Sequence, residues 1–252
     1  MTRAIGVIPA RWASTRFPGK VLAPVAGRPL LYHVLDRVRA AGRLAGVRVA
    51  TDDDRVREAV EAYADGAVQA VMTRPGHPSG TDRVAEAVGS EEAEVIVNIQ
   101  GDEPLIEPAL IDRLAAVLTE EQGWDMATAA SPMSSADERI RQPSVVKVVC
   151  DARGRALYFS RAAIPHVRDA DESLPEPLYW RHIGIYAYRR PFLLRMVAEA
   201  PDALERAEKL EQLRALRMGA AICVLRTEDY GTGVDTPEDV ERVERVLNQN
   251  QS

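Results

Sequence analysis

Ala4-Ile-Gly-Val-Ile-Pro-Ala-Arg-Trp-Ala-Ser-Thr-Arg-Phe-Pro-Gly-Lys20 joins an apolar run to a polar loop that carries three cations, Arg11, Arg16 and Lys20. The run, Ala4–Pro9, has the length and composition of a strand. After the loop, Leu30, Leu31, Val34, Leu35 and Val38 recur at helical spacing, which predicts a helix over Pro29–Ala41. Strand, loop and helix in that order place the loop at the carboxyl end of the strand, where α/β sheets bind ligands. The pattern then repeats. Val47–Thr51, Ala67–Met72 and Val95–Gln100 read as strands; Asp53–Ala64, Thr81–Val88 and Pro108–Leu118 read as helices, with Pro108 in the first turn that tolerates it. The expected fold is α/β, a mostly parallel sheet with helices on both faces.

Beyond Ala127 the alternation changes. Val145–Cys150 and Ala156–Phe159, around Asp151-Ala-Arg-Gly154, predict a hairpin. Pro165–Pro177 is loop-like and acidic, Ile183–Tyr188 a strand, and Ala203–Met218 and Pro237–Leu247 helices, the second with Thr236 as N-cap. A single domain over 1–252 is expected.

Composition excludes several classes. The net charge of −6 argues against a surface that coats nucleic acid, which needs dense Lys and Arg on phosphates, although a local cationic cluster can still hold a small anion. The two cysteines, Cys150 and Cys223, have no CxxC partner and sit in apolar runs, so they read as strand residues rather than as zinc ligands or a disulfide. No stretch approaches the roughly 20 apolar residues of a membrane span, and the apolar run near the start is too short for a signal peptide. No membrane partner is expected, and the expected location is the cytoplasm.

Four stretches carry chemistry. In the first loop, small residues let backbone amides approach a phosphate while Arg11, Arg16 and Lys20 neutralise it. It is not a Walker loop, because Gly19-Lys20 is followed by Val21. Val95-Ile-Val-Asn-Ile-Gln-Gly-Asp102 is an apolar strand ending in a carboxylate, and Gly231-Thr-Gly-Val-Asp235 offers a second. Magnesium takes one or two carboxylates together with phosphate oxygens and water, so Asp102 and Asp235 suit it; the competing reading makes them a turn residue and part of a helix start. Ser79-Gly-Thr81 at a helix start offers hydroxyls and free amides for a base edge or phosphate, and the same residues also serve as caps. His77 reads as a surface loop residue.

Together with Pro9-Ala-Arg11, Gly27-Arg-Pro-Leu30, His77-Pro-Ser-Gly-Thr-Asp-Arg83, Asn98-Ile-Gln-Gly-Asp-Glu-Pro104, Ala156-Leu-Tyr-Phe-Ser-Arg161, Arg181-His-Ile-Gly-Ile-Tyr186, Lys209-Leu-Glu-Gln-Leu-Arg214 and Gly231-Thr-Gly-Val-Asp-Thr-Pro-Glu238, these motifs resemble the sugar nucleotidyltransferases. Among these, nearly the whole chain is similar to the 3-deoxy-manno-octulosonate (Kdo) cytidylyltransferases of lipopolysaccharide synthesis. The resemblance implies CTP and Kdo as substrates, CMP-Kdo and pyrophosphate as products, Mg2+ held by Asp102 and Asp235, and charge neutralisation by Arg11 and Lys20. It implies nucleotide contacts from Ala10, Arg11, Lys20, Thr73, Arg74, Ser79, Gly80 and Gln100. It implies sugar contacts from Gln100, Arg161, His182, Tyr186, Glu211 and Gln212, and a homodimer made through a smaller lobe spanning roughly 133–190. A relative using another acidic sugar (8-amino-Kdo or sialic acid) and a catalytically silent nucleotide binder are the alternatives. A glycosyltransferase would need an Asp-x-Asp; Asp52-Asp-Asp54 fits the letters but sits at a helix start, where Asp is a cap. Departures from the family pattern are Trp12, Phe17 and Pro201-Asp-Ala-Leu-Glu205, which leaves the role of Glu205 open.

Overall fold

The structure, a computed structural model, describes residues 3–13, 17–63, 66–169, 174, 176–228, 233–234 and 236–249. The first half alternates as its patterning dictates: β1 Ala4–Pro9, a two-strand ribbon of β2 Pro24–Val25 and β3 Arg28–Pro29, α1 Leu30–Arg39, β4 Leu44–Thr51, α2 Asp54–Tyr63, β5 Val68–Met72, α3 Gly80–Ala87, β6 Val95–Asn98 and α4 Pro108–Glu120. The second half comprises β7 Met126–Met133, β8 Lys147–Cys150, β9 Ala156–Ser160, β10 Tyr179–Arg189, α5 Arg190–Ala198, α6 Ala203–Glu208, α7 Gln212–Arg217, β11 Ile222–Arg226 and α8 Pro237–Gln249.

The main sheet runs β11-β7-β10-β6-β1-β4-β5, and β8 and β9 continue from β10 as a hairpin. Along that path every strand but β10 points the same way, because β10 is antiparallel to both neighbours while the other pairs are parallel. The sheet is covered on both faces, and its central strands are correspondingly apolar throughout: Val95–Asn98 of β6 are all buried. On one face Ala4, Ile8, Val95 and Val97 pack against α1, α2 and α4. On the other Ile5, Val7 and Ile96 pack against α3, α5 and α7.

The β2–β3 ribbon has no counterpart in the sequence pattern, which predicts a helix from Pro29, and three larger elements also depart from expectation. The strand β7, Met-Ala-Thr-Ala-Ala-Ser-Pro-Met, lies between β10 and β11 although alanine favours strands weakly; burial on both faces supplies what propensity does not. α5, begun by Pro191 in its first turn, was not anticipated either. The helix expected over Ala203–Met218 is two helices, α6 and α7, broken at Lys209, which takes a left-handed conformation (φ 54°) that ends α6.

Candidate active site

The carboxyl ends of β1 and β6 lie side by side, and the segments leaving them form one cavity of about 370 Å³. That volume suits a small ligand. Arg11, Lys20, Ser79, Gly80, Gln100, Asp102 and Glu211 of the expected site line it. The loop after β1 is closed by the Gly19 amide donating to the Trp12 carbonyl at 3.0 Å. Gly19 sits at φ 70°, and a Cβ there would lie 2.9 Å from the Trp12 ring, so both conformation and space demand glycine. The Trp12 ring in turn carries the Arg55 guanidinium 3.6 Å from its centroid. The turn after β6 is equally tight: a Cβ on Gly101 would lie 3.2 Å from the Pro9 carbonyl oxygen, so the absence of a side chain lets the two strand ends approach. Held by these two turns, Lys20 Nζ donates to Asp102 Oδ2 at 2.6 Å.

Asp102 is the carboxylate on which the expected Mg2+ depends. Its Oδ1 makes no hydrogen bond among the described residues, and among them no cluster of three or more His, Cys, Asp or Glu could hold a metal. One hard carboxylate with an open oxygen, facing a cavity with cations for phosphates, fits magnesium, which completes its shell with phosphate and water oxygens. Asp235 lies outside the described residues; the Val234 amide before it donates to the Asp102 carbonyl at 2.8 Å.

The residues expected to meet a nucleotide gather around α3. Ser79 caps it, accepting from the Asp82 amide at 3.2 Å and donating to the Asp82 carboxylate at 2.6 Å, so the capping and cavity-lining readings of Ser79 hold together. Arg83, quoted in its motif but not anticipated as a site residue, is buried at the cavity wall and donates to Thr73 Oγ1 (2.6 Å) and Asp52 Oδ2 (2.9 Å). This takes up Asp52, while Asp53 and Asp54 pair with Arg55 and Arg57. Thr73 stands behind the wall, donating to the Thr51 carbonyl, and Ala10 is buried with its amide on the Ala50 carbonyl; neither side chain lines the cavity. Arg74 is not brought in either. It is exposed, and its amide and Nε donate to Glu86. His77 is no surface residue: its ring lines the cavity and meets the same Glu86 carboxylate. Burial pushes the Glu86 carboxyl up, but the Arg74 amide, the Arg74 guanidinium and His77 outweigh it and hold it below the ordinary carboxylate value.

A second cavity, of about 330 Å³, holds Arg181, His182, Tyr186 and Gln212. Glu211 lines the first cavity and its neighbour Gln212 the second, so the two meet at the start of α7. A bulge in β10 between Ile183 and Tyr186 shapes this cavity, and Thr128 Oγ1 donates to the Ile185 carbonyl within it at 2.8 Å. With that proton committed, His182 Nε2, 3.0 Å from the same oxygen, is the donor of their hydrogen bond. Burial, then the neighbouring Arg181 charge, lowers the His182 pKa to about 3, so the ring is neutral. Burial, then Glu211 and Glu103, pushes the Tyr186 phenol far above its ordinary value. Tyr186 donates to Gln212 Oε1 at 3.3 Å, while Gln212 Nε2 is buried without a partner among the described residues. An unsatisfied buried amide on a residue that lines a cavity is suited to meet a ligand oxygen there. Arg161 lines neither cavity. Its guanidinium donates to the carbonyls of Glu208 (2.6 Å), Pro143 (2.8 Å) and Lys209 (3.5 Å), and Arg181 is the guanidinium at the second cavity. Beside it the fully buried Lys147 Nζ donates to the Val145 and Arg161 carbonyls at 2.6 and 2.7 Å, and burial lowers its pKa.

A basic loop and a strand-end carboxylate on a mostly parallel sheet, beside a second cavity lined by Arg181, His182, Tyr186 and Gln212, are the arrangement of a nucleotidyltransferase. A family profile described as cytidylyltransferase matches residues 5–222. A 3-deoxy-manno-octulosonate cytidylyltransferase of Geobacter metallireducens is 47% identical, covering 97% of this chain and 98% of the relative. Its namesake in Solibacter usitatus is 49% identical, over 97% and 94%. Among solved structures, a CMP:2-keto-3-deoxy-manno-octonic acid synthetase complexed with CTP superposes with a TM-score of 0.92 at 40% identity, covering 99% of this chain and 100% of that one. A 4-diphosphocytidyl-2C-methyl-D-erythritol synthase from Anaerococcus prevotii, at 15% identity and a TM-score of 0.65, shares the fold. The chain belongs to the 3-deoxy-manno-octulosonate cytidylyltransferase family.

Proposed function

We propose that the chain transfers CMP from CTP to Kdo, giving CMP-Kdo and pyrophosphate for lipopolysaccharide synthesis. The observation that carries this is the junction at Glu211 and Gln212, which sets the cavity with Lys20 and Asp102 against the cavity with His182 and Tyr186. CTP occupies the first cavity, with its base toward Ser79, Gly80 and Gln100 and its phosphates toward Arg11 and Lys20. Kdo occupies the second, with its carboxylate toward Arg181 and its hydroxyls toward His182, Tyr186, Glu211 and Gln212. The anomeric oxygen forms a bond to the α-phosphorus in line as the bond to pyrophosphate breaks. Bound at Asp102 and Asp235, Mg2+ supplies charge neutralisation on the phosphates and a lowered pKa for the attacking hydroxyl. Arg11 and Lys20 balance the charge that collects on the leaving pyrophosphate. His182, kept neutral, presents a hydrogen-bonding ring rather than a second cation beside Arg181.

The proposed setting is the cytoplasm; no helix among the described residues is long and apolar enough to cross a membrane. The proposed assembly is a homodimer through the β8–β9 lobe, where Leu157 is 58% exposed, and sedimentation of the purified chain tests it. The reaction is tested by pyrophosphate release with CTP and Mg2+, with Kdo, 8-amino-Kdo and sialic acid as parallel acceptors. Release that requires Kdo and stops on chelation is expected. Release with another acceptor alone moves the substrate, and CTP binding without release under any condition overturns the reading.

A further inference from the structure

The sequence leaves Glu205 and Arg214 without a role, and neither lines a cavity. Both are nonetheless buried, with side chains 9% and 7% exposed. Arg214 Nε and Nη2 donate to the two Glu205 carboxylate oxygens at 2.8 and 2.9 Å, a two-point grip across the break between α6 and α7. Its remaining terminal nitrogen donates to the carbonyls of Met196 and Glu199, at 3.1 and 2.9 Å, where α5 ends. Glu205 is itself set by Asp202, whose carboxylate caps α6 by accepting from the Glu205 amide at 2.8 Å. One guanidinium therefore ties three helices together, two residues along from Gln212 and three from Glu211.

A buried ion pair is a poor device for stability, because desolvation of the two charges offsets most of their attraction. What a bidentate guanidinium–carboxylate pair provides instead is direction, since its planar fork tolerates little rotation. α7 needs such a constraint. It is six residues long, and Glu211 at its N-cap makes no side-chain capping hydrogen bond. The residue that turns the chain into it, Lys209, is a non-glycine in the left-handed region. Leu213 and Ala215 seat one side of α7 in the core, and no side-chain capping hydrogen bond at its start fixes its rotation further, yet that rotation decides where Glu211 and Gln212 face.

We infer that Glu205 and Arg214 are positioning residues for the acceptor sugar: their ion pair fixes the rotation of α7 so that Glu211 and Gln212 present their polar groups to the sugar's hydroxyls. This rests on the assignment of the second cavity to the acceptor. The pair lines neither cavity, and its effect, carried through α7, is expected to fall chiefly on the acceptor side.

The test is steady-state kinetics on Arg214→Lys, which keeps the charge and loses the fork, and on Glu205→Gln, which keeps the shape and weakens the grip. Acceptor KM rising about tenfold or more, with CTP KM and CTP-induced thermal stabilisation within about twofold of the parent, is expected, since displacements near 1 Å cost this much or more. An unchanged acceptor KM in both variants overturns the inference, as does a parallel rise in both KM values, which would mark a general loosening. If the parent chain turns over no acidic sugar, the functional reading fails and crystal structures decide the positioning role. Displacement of residues 211 and 212 in Arg214→Lys supports it, and an unmoved α7 refutes it.

Discussion

Burial takes the His182 imidazole out of water, the Arg181 guanidinium adds a like charge, and the pKa falls from 6.5 to about 3. In the unfolded chain the ring takes up a proton near pH 6.5, while the folded chain refuses it until near pH 3. Between those values the unfolded state binds more protons, so stability rises with pH and is lost as pH falls. For one such group the loss between pH 7 and pH 5 is about 2 kcal/mol. Denaturant titrations at the two pH values are expected to show that loss in the parent and a clear reduction of it in His182→Gln, whose amide does not titrate; equal slopes in the two proteins would refute the neutral ring. Asp102 is a residue of the opposite kind, exposed to the cavity and useful because it is charged. Asp102→Asn keeps the shape and removes the charge that the proposed reaction sets beside the phosphates. A fall in kcat on the order of 10²–10³-fold is expected, the range for losing one preorganised electrostatic group, with the melting temperature little changed. Wild-type turnover in that variant would take Asp102 out of the reaction. Its place at the end of an apolar run made it legible in the sequence. Arg161 stands outside both cavities for an equally plain reason: its guanidinium meets carbonyls of the distant segments at Pro143 and Glu208, which the sequence does not bring together.

At the scale of elements, α3 does two tasks. Its first turn presents Ser79 and Gly80 to the nucleotide cavity, and Glu86 near its other end holds the Arg74–His77 loop back against the helix. Three donors converge on that carboxylate, the Arg74 amide, the Arg74 guanidinium and the His77 ring, so its loss frees the loop that leads into Ser79. Glu86→Ala is expected to raise the CTP KM roughly tenfold, the equivalent of one charge-assisted hydrogen bond, and to leave kcat at saturating CTP within about threefold. An unchanged CTP KM would show that the loop is held by other contacts. Elements were legible where local pattern and tertiary role agree. β1 and β6 are short apolar runs followed by charge, and α1 repeats its leucines and valines at helical spacing. β7 escaped because its alanines carry no strand signal and only its neighbours β10 and β11 make it a strand. The α6–α7 break escaped because it turns on a left-handed lysine, a conformation no local pattern announces, and on an ion pair between residues nine apart.

The whole molecule is organised by β10. Its first half pairs with β7 and touches the β8–β9 hairpin, its second half pairs with β6 and β7, and the bulge between them forms the second cavity. The lobe shares a continuous strand with the central sheet, and beside a small cluster of its own around Met133, Ile140 and Tyr179 it packs into the central core. Phe159 of the hairpin belongs to the same buried cluster as Ile96 of β6, and it meets the His182 ring edge-on at 5.0 Å. Unfolding is therefore expected to be one cooperative transition that includes the lobe. Two substitutions on opposite faces of the sheet test this: Ile111→Val in the cluster beneath α4, and Phe159→Leu in the lobe. Each is expected to cost about 1 kcal/mol, the scale of removing or reshaping a little buried volume, which lowers the melting temperature by about 2–4 °C at this chain length. The clusters lie on separate faces, so the double variant is expected to show the sum of the two losses within about 0.5 kcal/mol. Melting followed by far-ultraviolet circular dichroism and by tryptophan fluorescence reads Trp12 in the loop after β1, Trp124 just before β7 and Trp180 at the start of β10 together. At fixed protein concentration both signals are expected to move in one step for all four proteins. Two steps, with Phe159→Leu shifting only the earlier one, would make the lobe an independent unit and break the link between its hairpin and the acceptor cavity.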